Sequence, residues 1–200
     1  MLKLVWLTAA LHMLVVILCG EVGIIDMSIV KEDLVNWHMD ETLFEQDPVN
    51  IEKKVKNVES VLNVNLPSEF KIFLLLTNDQ AISPVEDKDF CLAKYNDESR
   101  VVYVDGFYSC ESIIEITKLS QESIYEHRFI LPEGLIVIGV NYDGATDAHI
   151  VYDVRPDSLT YQHLFNWRYS IDNVFVGEGL GFLSHSLKEF LNTPASEDEL

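Results

Sequence analysis

The sequence predicts an α+β fold, with an antiparallel sheet of about four to six strands and helices packed at one side of it. Segments of helical period come first, segments of strand period separated by short turns follow, and one more helical segment closes the chain. Of the 200 residues, 48% are hydrophobic, which suffices for a conventional core without a metal or disulfide. We therefore expect a single folded domain.

Four segments have the spacing of amphipathic helices. Pro67 stands where the first turn of the second helix tolerates a missing N–H, Ser109 is expected to cap the third, and Thr193 with Pro194 ends the fourth. The apolar residues that define the four helices are, in order, Ile51, Val55, Val58 and Leu62; Phe70, Phe73 and Leu74; Ile113, Ile114, Ile116 and Leu119; and Leu183, Leu187, Phe190 and Leu191.

Strands are predicted at residues 101–104, 135–140, 149–154 and 164–169, and residues 90–92 are a candidate short strand within a polar loop. The step from Asp105 to Gly106 is expected to end the first strand in a tight turn. Residues 141–147 are expected to form an acidic hairpin tip. In the strand that follows the tip, alternate residues would face the core, and His149 and Asp153 would lie on a mixed face.

The amino-terminal residues 1–26 contain an apolar run from residue 4 to residue 19. This run is shorter than the roughly 20 residues that span a bilayer. Three interpretations remain open: a poor signal sequence or anchor, an upstream extension with the true start at Met27, or a buried helix. Residues 27–50 then form a lead-in, residues 51–192 the domain and residues 193–200 an acidic tail. We expect a cytoplasmic protein, or a membrane-anchored or secretory one if the run is a functional signal.

The charge balance restricts the class of partner. The chain has 33 acidic and 14 basic side chains, a net charge of −19, and residues 1–26 contribute only −1 of it. Binding nucleic acid relies on Lys and Arg to displace counterions, and no basic cluster longer than Lys53 and Lys54 occurs. The sequence therefore excludes nucleic acid as a direct partner and favours a basic protein.

No motif predicts catalysis, a metal or a cofactor. Gly177, Gly179 and Gly181 miss the dinucleotide fingerprint because Phe182 stands where the third glycine would be, so a turn or bulge is expected there. Asp143, Asp147 and His149 are conceivable metal ligands of a hydrolase, but their position in a hairpin favours solvated surface residues.

The three cysteines lack ligand spacing and are expected to be small buried hydrophobes. Removal of about the first twenty residues on secretion would leave Cys91 and Cys110 as an even pair, which is compatible with an oxidising compartment.

Acidic turns and aromatic residues are the candidates for binding a partner. Trp167 has a competing interpretation as a core residue, and the acidic residues have one as ordinary solvated surface. The candidate residues are Asp143, Asp147, Asp153, Asp157, Tyr161, Trp167 and Tyr169.

Four stretches also occur in an informative order. They are NLPSEFKIFL at 65–74 with Asn78, LPEGLIVIG at 131–139 with DGATD at 143–147, LFNW at 164–167, and SLKEFL at 186–191. Together they resemble the LPxxYxxFL…NGG helix, the strand–turn–strand unit, the tryptophan strand and the closing SFxxFL helix of the SUKH superfamily, the Smi/Knr-type domain. The resemblance covers roughly residues 51–192, with Asp79 and Gln80 in place of the glycine pair.

The resemblance implies a non-enzymatic protein-binding domain. Bacterial members of this superfamily are commonly immunity proteins that bind and neutralise a cognate toxin, often a nuclease, and fungal relatives are regulatory interaction modules. The acidity agrees with the first role, because a nuclease presents basic surface to its substrate. We therefore expect an immunity protein for a basic toxin, with a regulatory or scaffold module, membrane-associated through residues 1–26, as the alternative.

Overall fold

The computed structural model describes residues 28–40, 48–122 and 129–200. The predictions for residues 1–26 lie outside these ranges. After a 3-10 turn at Lys31–Leu34, the helices and strands are β1 (Trp37–His38), α1 (Pro48–Leu62), α2 (Ser68–Leu76), β2 (Ser83–Pro84), β3 (Phe90–Lys94), β4 (Ser99–Phe107), α3 (Cys110–Gln121), β5 (Leu135–Asp143), β6 (Thr146–Asp153), β7 (Leu164–Trp167), β8 (Leu180–Ser184) and α4 (Leu187–Leu191).

Six strands form an antiparallel sheet that closes into a barrel in the order β3-β4-β5-β6-β7-β8. The closing contact pairs Lys94 of β3 with Phe182 of β8. Strands β1 and β2 make a separate two-stranded sheet. The predicted α+β class and number of strands are confirmed, and closure into a barrel is an additional finding.

The main core joins the helices to the inner side of the sheet. Phe107 at the end of β4 packs against Phe73 of α2 and Phe190 of α4, with ring centroids 5.0 and 5.7 Å apart. Trp37 packs against the same ring in a tilted arrangement, with centroids 4.9 Å apart, and its indole N–H donates to the carbonyl of Leu191 at 3.0 Å. Burial of four large aromatic side chains contributes several kcal/mol in total. Part of the predicted lead-in therefore belongs to the core.

A second, smaller core covers the other side of the sheet, where a mixed face was predicted for β6. Val151 lies between Val137 and Phe165 and is fully buried. His149 and Asp153, on the same side of β6, are buried as well. This face of mixed composition is buried because residues 129–135, α3 and the loop after β7 add a layer that periodicity within one strand cannot reveal.

Two local predictions are also wrong. Strand β4 continues through Asp105 and Gly106, where its register against β5 shifts in a bulge. A Cβ at Gly106 would lie 2.3 Å from the carbonyl oxygen of Ile82, which bridges to Phe107, so glycine permits a close approach of two backbones rather than a turn. Leu183 belongs to β8, and α4 begins only at Leu187.

Among the described residues, no helix is long and apolar enough to cross a membrane.

Candidate functional site

The β5–β6 hairpin carries the first two predicted site residues, and it separates them. The turn is shorter than predicted, with only Gly144 and Ala145 between the paired residues Asp143 and Thr146. Gly144 has a φ of 64°, in the left-handed region that glycine favours. Asp147 is exposed on the outer side of the sheet, whereas Asp143 is buried on the inner side.

Asp143 belongs to a polar cluster at the end of the barrel, which we call the mouth cluster. The buried amide of Asn141 donates to Asn166 at 3.2 Å, and the amide of Asn166 donates to Asp143 at 3.2 Å and to the hydroxyl of Tyr95 at 3.0 Å. Its members are Tyr95, Arg100, Asn141, Asp143, Asn166, Arg168 and Asp172. The apolar inner side of the sheet therefore ends in a network of hydrogen bonds.

Two arginines balance the carboxylates of the mouth cluster. Arg168 makes a bidentate pair with Asp172, at 2.6 and 2.9 Å, and lies 3.7 Å from Asp143. Arg100 lies 3.4 Å from Asp143 and also bonds Glu98. The bonds to Asp172 raise the pKa of Arg168, and those to Glu98 and Asp143 raise the pKa of Arg100 against the opposing effect of its burial. These carboxylates are held inside the protein and stabilise the closed end of the barrel.

Asp153 organises the second predicted acidic turn. Its buried carboxylate accepts bonds from Arg155 at 2.7 and 2.9 Å, from Ser158 at 2.8 Å and from Thr160 at 2.7 Å. Burial alone would raise the pKa of Asp153, but these bonds lower it overall. The turn that they fix leaves Asp157 exposed at its tip.

The predicted aromatic residues lie mostly in the second core. Trp167 is 1% exposed, and its indole N–H donates to the carbonyl of Asp172 at 3.1 Å. Tyr169 is half-buried and stacks on His149, with ring centroids 4.3 Å apart. Burial lowers the pKa of His149 to about 4, so its ring is neutral near pH 7. Tyr161 is half-buried in the turn held by Asp153. Of the predicted set, Asp147 and Asp157 are the most accessible.

Sequence reasoning missed a row of aromatic rings next to Asp147, which is exposed at Tyr103 and Tyr142 and half-buried at Phe90. Phe90, Tyr103 and Tyr142 are paired across β3, β4 and β5, with ring centroids 5.5 and 6.0 Å apart. Asp147 pairs with Tyr142 on the same side of the sheet. The alternation of Val101 and Tyr103 with buried Val102 and Val104 is the sequence signal that could have found this row.

The described residues contain no group of three or more His, Cys, Asp and Glu side chains that could hold a metal ion. Cys91 and Cys110 are free and buried. Burial raises the pKa of Cys91 to about 12, and burial together with the neighbouring Asp79 raises that of Cys110. Both thiols are therefore protonated near neutral pH and are poor nucleophiles.

Comparison with known proteins gives the family. The model of the SMI1 / KNR4 family (SUKH-1) matches residues 52–193. The chain belongs to this family. A search of curated proteins and a search of solved structures found no match. The resemblance drawn from the four motifs is confirmed.

The backbone conformation accounts for the replacement of the motif's glycine pair after α2 by Asp79 and Gln80. Asn78 and Asp79 have φ values of 54° and 56°, in the left-handed region that a glycine would adopt easily. Asn and Asp tolerate this region better than other side chains. The SUKH-1 chain therefore keeps a left-handed turn without the glycine pair and gains a carboxylate at Asp79.

Proposed function

We propose that this SUKH-1 chain is a non-catalytic immunity protein, which binds a basic toxin domain stoichiometrically and neutralises it. SUKH-1 domains are commonly immunity proteins. The observation that carries the proposal for this chain is the excess of carboxylates on its surface. A toxin that acts on nucleic acid must present Lys and Arg, and these are the groups that an acidic surface attracts.

The distribution of ion pairs supports this role for the surface. Arg100, Arg155 and Arg168 are all engaged with buried or half-buried carboxylates of their own chain. The net charge of −19 is therefore carried largely by other acidic residues, of which Asp147 and Asp157 are exposed. The negative potential of these carboxylates speeds the encounter with a basic protein. The carboxylates also compete with nucleic acid for the basic surface of that protein.

The arrangement of reactive groups favours binding over catalysis. The buried thiols are protonated, and His149 is neutral and packed against Tyr169. A nucleophilic thiol is activated by a lowered pKa, whereas burial raises the pKa of Cys91, and burial together with Asp79 raises that of Cys110. The regulatory or scaffold alternative depends on residues 1–26, and fractionation of the full chain into soluble and membrane fractions tests it.

A pull-down with the product of the neighbouring gene tests the immunity proposal. The full chain is the bait, and co-expression with the candidate toxin provides a second readout of growth. We expect a stable one-to-one complex and restored growth. Absence of binding at low salt to any co-encoded protein would contradict the proposal.

A further inference from the structure

We propose that the partner docks on the outer face of β3, β4 and β5, centred on Tyr103 and Tyr142, and that it presents Lys or Arg side chains to these rings. The surface, here called the tyrosine face, is defined by Phe90, Val101, Tyr103, Tyr142 and Asp147. This inference rests on the proposed binding of a basic protein, and it names where that protein binds and by what contacts.

The geometry of the tyrosine face is fixed by strand register. Phe90 pairs with Tyr103, and Tyr103 pairs with Tyr142, so the three side chains project from the same side of three adjacent strands. The rings of Phe90 and Tyr103 meet edge to face, at an angle of 73°. Such contacts hold the rings in place before a partner arrives, which lowers the entropic cost of binding.

The tyrosine face is open, whereas neighbouring parts of β5, β6 and β7 on this side of the sheet are covered. Val137, Val151 and Phe165 lie on the same side and are fully buried in the second core. In contrast, Val101 is 41% exposed, Tyr103 36% and Tyr142 38%. Large apolar side chains in one exposed row, bordered by polar residues, are typical of a protein interface.

Carboxylates surround this aromatic row. Asp89 precedes Phe90, Asp105 is the bulged residue after Tyr103, and Asp147 pairs with Tyr142. Asp105 and Asp147 are exposed. Partial burial, and then the charges of Asp89 and Asp105, raise the pKa of the Tyr103 hydroxyl. Lys94 is the basic residue on this side of β3, four residue pairs away from Phe90.

The carboxylates and rings of the tyrosine face favour a basic protein over nucleic acid, a lipid surface or a second copy of the chain. Nucleic acid and anionic lipid would meet the same carboxylates and be repelled. A second copy docked through the same face would bring Asp105 and Asp147 against their own equivalents. Lys and Arg side chains gain both a carboxylate and the face of a tyrosine ring, and tyrosine is enriched among the residues that dominate binding energy.

The closed barrel also limits the kind of contact that a partner can make with the tyrosine face. Strands β4 and β5 each have neighbours on both sides, so neither offers free backbone groups for an added strand. Contact with the tyrosine face therefore occurs through side chains. We expect the two tyrosines to be more sensitive to truncation than any backbone position nearby.

Truncation of the two rings tests this inference with the co-encoded basic protein as ligand. Tyr103→Ala and Tyr142→Ala should each weaken binding by about 30-fold, and Tyr103→Phe should retain most of the affinity because the ring remains. Phe175→Ala, at a side chain 62% exposed in the loop between β7 and β8, is the matched control and should bind as the parent does. Melting curves establish that each variant is folded.

A charge-matched pair of variants adds a second criterion. Asp147→Asn should weaken binding, whereas Glu52→Gln, at an exposed side chain of α1, should not. Unchanged binding by the alanine and Asp147 variants, with the parent still bound tightly, would overturn the tyrosine face and leave the immunity proposal standing. A dimer of the free chain that Tyr103→Ala dissociates would also overturn it, since a second copy would then cover this face.

A probe that does not depend on the toxin distinguishes failure of the tyrosine face from failure of the immunity proposal. A polyarginine peptide titrated into the full chain should shift the NMR signals of Tyr103 and Tyr142, and Asp147→Asn should reduce those shifts. Shifts centred on the turn around Asp157 instead would contradict the inference. If no co-encoded protein binds but the peptide contacts these tyrosines, the proposed function fails while the surface is retained.

Discussion

The candidate aspartates have two different roles, which follow from their burial. The buried ones stabilise the fold, and the exposed ones are available to a partner. Asp143 and Asp153 were predicted as partner-binding residues because they lie in acidic turns. The structure surrounds both with donors from their own chain. Sequence spacing could not reveal this, since Arg100 and Asn166 reach Asp143 from other strands. The exposed position of Asp147 follows from strand alternation and could have been derived.

Replacing Asp153 tests its structural role. Asp153→Ala should lower the free energy of unfolding by about 3 kcal/mol, because Arg155, Ser158 and Thr160 lose a buried acceptor that they share. Asp157→Ala, at the exposed tip of the same turn, should change it by less than about 0.5 kcal/mol. Chemical denaturation measures both. Equal small effects would show that the hydrogen bonds of Asp153 contribute little.

His149 predicts a dependence of stability on pH. Its pKa is about 4 in the folded protein and 6.5 in its ordinary state, so between these values the unfolded chain binds the extra proton. Stability from this group is therefore fully present above pH 6.5 and is lost as the pH falls toward 4, by roughly 3 kcal/mol. His149→Phe, which keeps a ring against Tyr169, should flatten this part of the profile. If the free energy of unfolding of His149→Phe falls with pH as steeply as that of the parent, His149 is not the group responsible.

At the scale of elements, distant carboxylates accept amino-terminal N–H groups of two helices, α3 and α4, and Ser186 also caps α4 locally by accepting from the N–H of Glu189. Asp79, after α2, accepts a bond from the backbone N–H of Cys110 at 2.6 Å, and Lys54 pairs with it at 3.1 Å. Glu69 of α2 accepts from the N–H of Lys188 at 2.6 Å. Ser109 was correctly placed before α3, but its hydroxyl makes no capping bond. Local sequence identifies where a helix begins, whereas these caps depend on tertiary contacts.

Variants at Asp79 test this long-range cap. Asp79→Ala should destabilise the protein by about 2 kcal/mol, since α3 loses its cap and alanine is strained at the positive φ of this position. Asp79→Asn keeps an oxygen acceptor and tolerates this φ, so it should cost clearly less. Thermal and chemical denaturation measure which of the two variants is less stable. An equal loss in both variants would mean that the charge pair with Lys54, rather than the cap, supplies the stabilisation.

Prediction of the elements succeeded where the pattern was local. Helix α1 and the β5–β6 hairpin follow from residue spacing alone. Strand β8 was missed because Gly177, Gly179 and Gly181 suggested only a turn, and Leu183 fitted a helical period. Gly181 lies beneath the ring of Tyr95, where a Cβ would come within 2.3 Å of the ring. This reason for a glycine in a strand becomes visible only when the barrel closes.

At the scale of the whole molecule, the predicted α+β fold is confirmed and its closure was not foreseeable. Closure depends on the pairing of β3 with β8, which are far apart in the sequence. The negative charge, in contrast, is evident from composition. Strand closure and charge together support the proposed role. The closed barrel leaves β3 to β8 without a free sheet edge for strand addition, so the surface carboxylates determine which class of partner binds.

The most direct test of this account is a calorimetric titration of the full chain with its co-encoded basic protein at two salt concentrations. Raising sodium chloride from about 0.1 M to about 1 M shortens the screening length from roughly 10 Å to roughly 3 Å. The account predicts a one-to-one complex whose affinity falls by at least about tenfold over this range. No complex at the lower concentration, or a complex indifferent to salt, would contradict it.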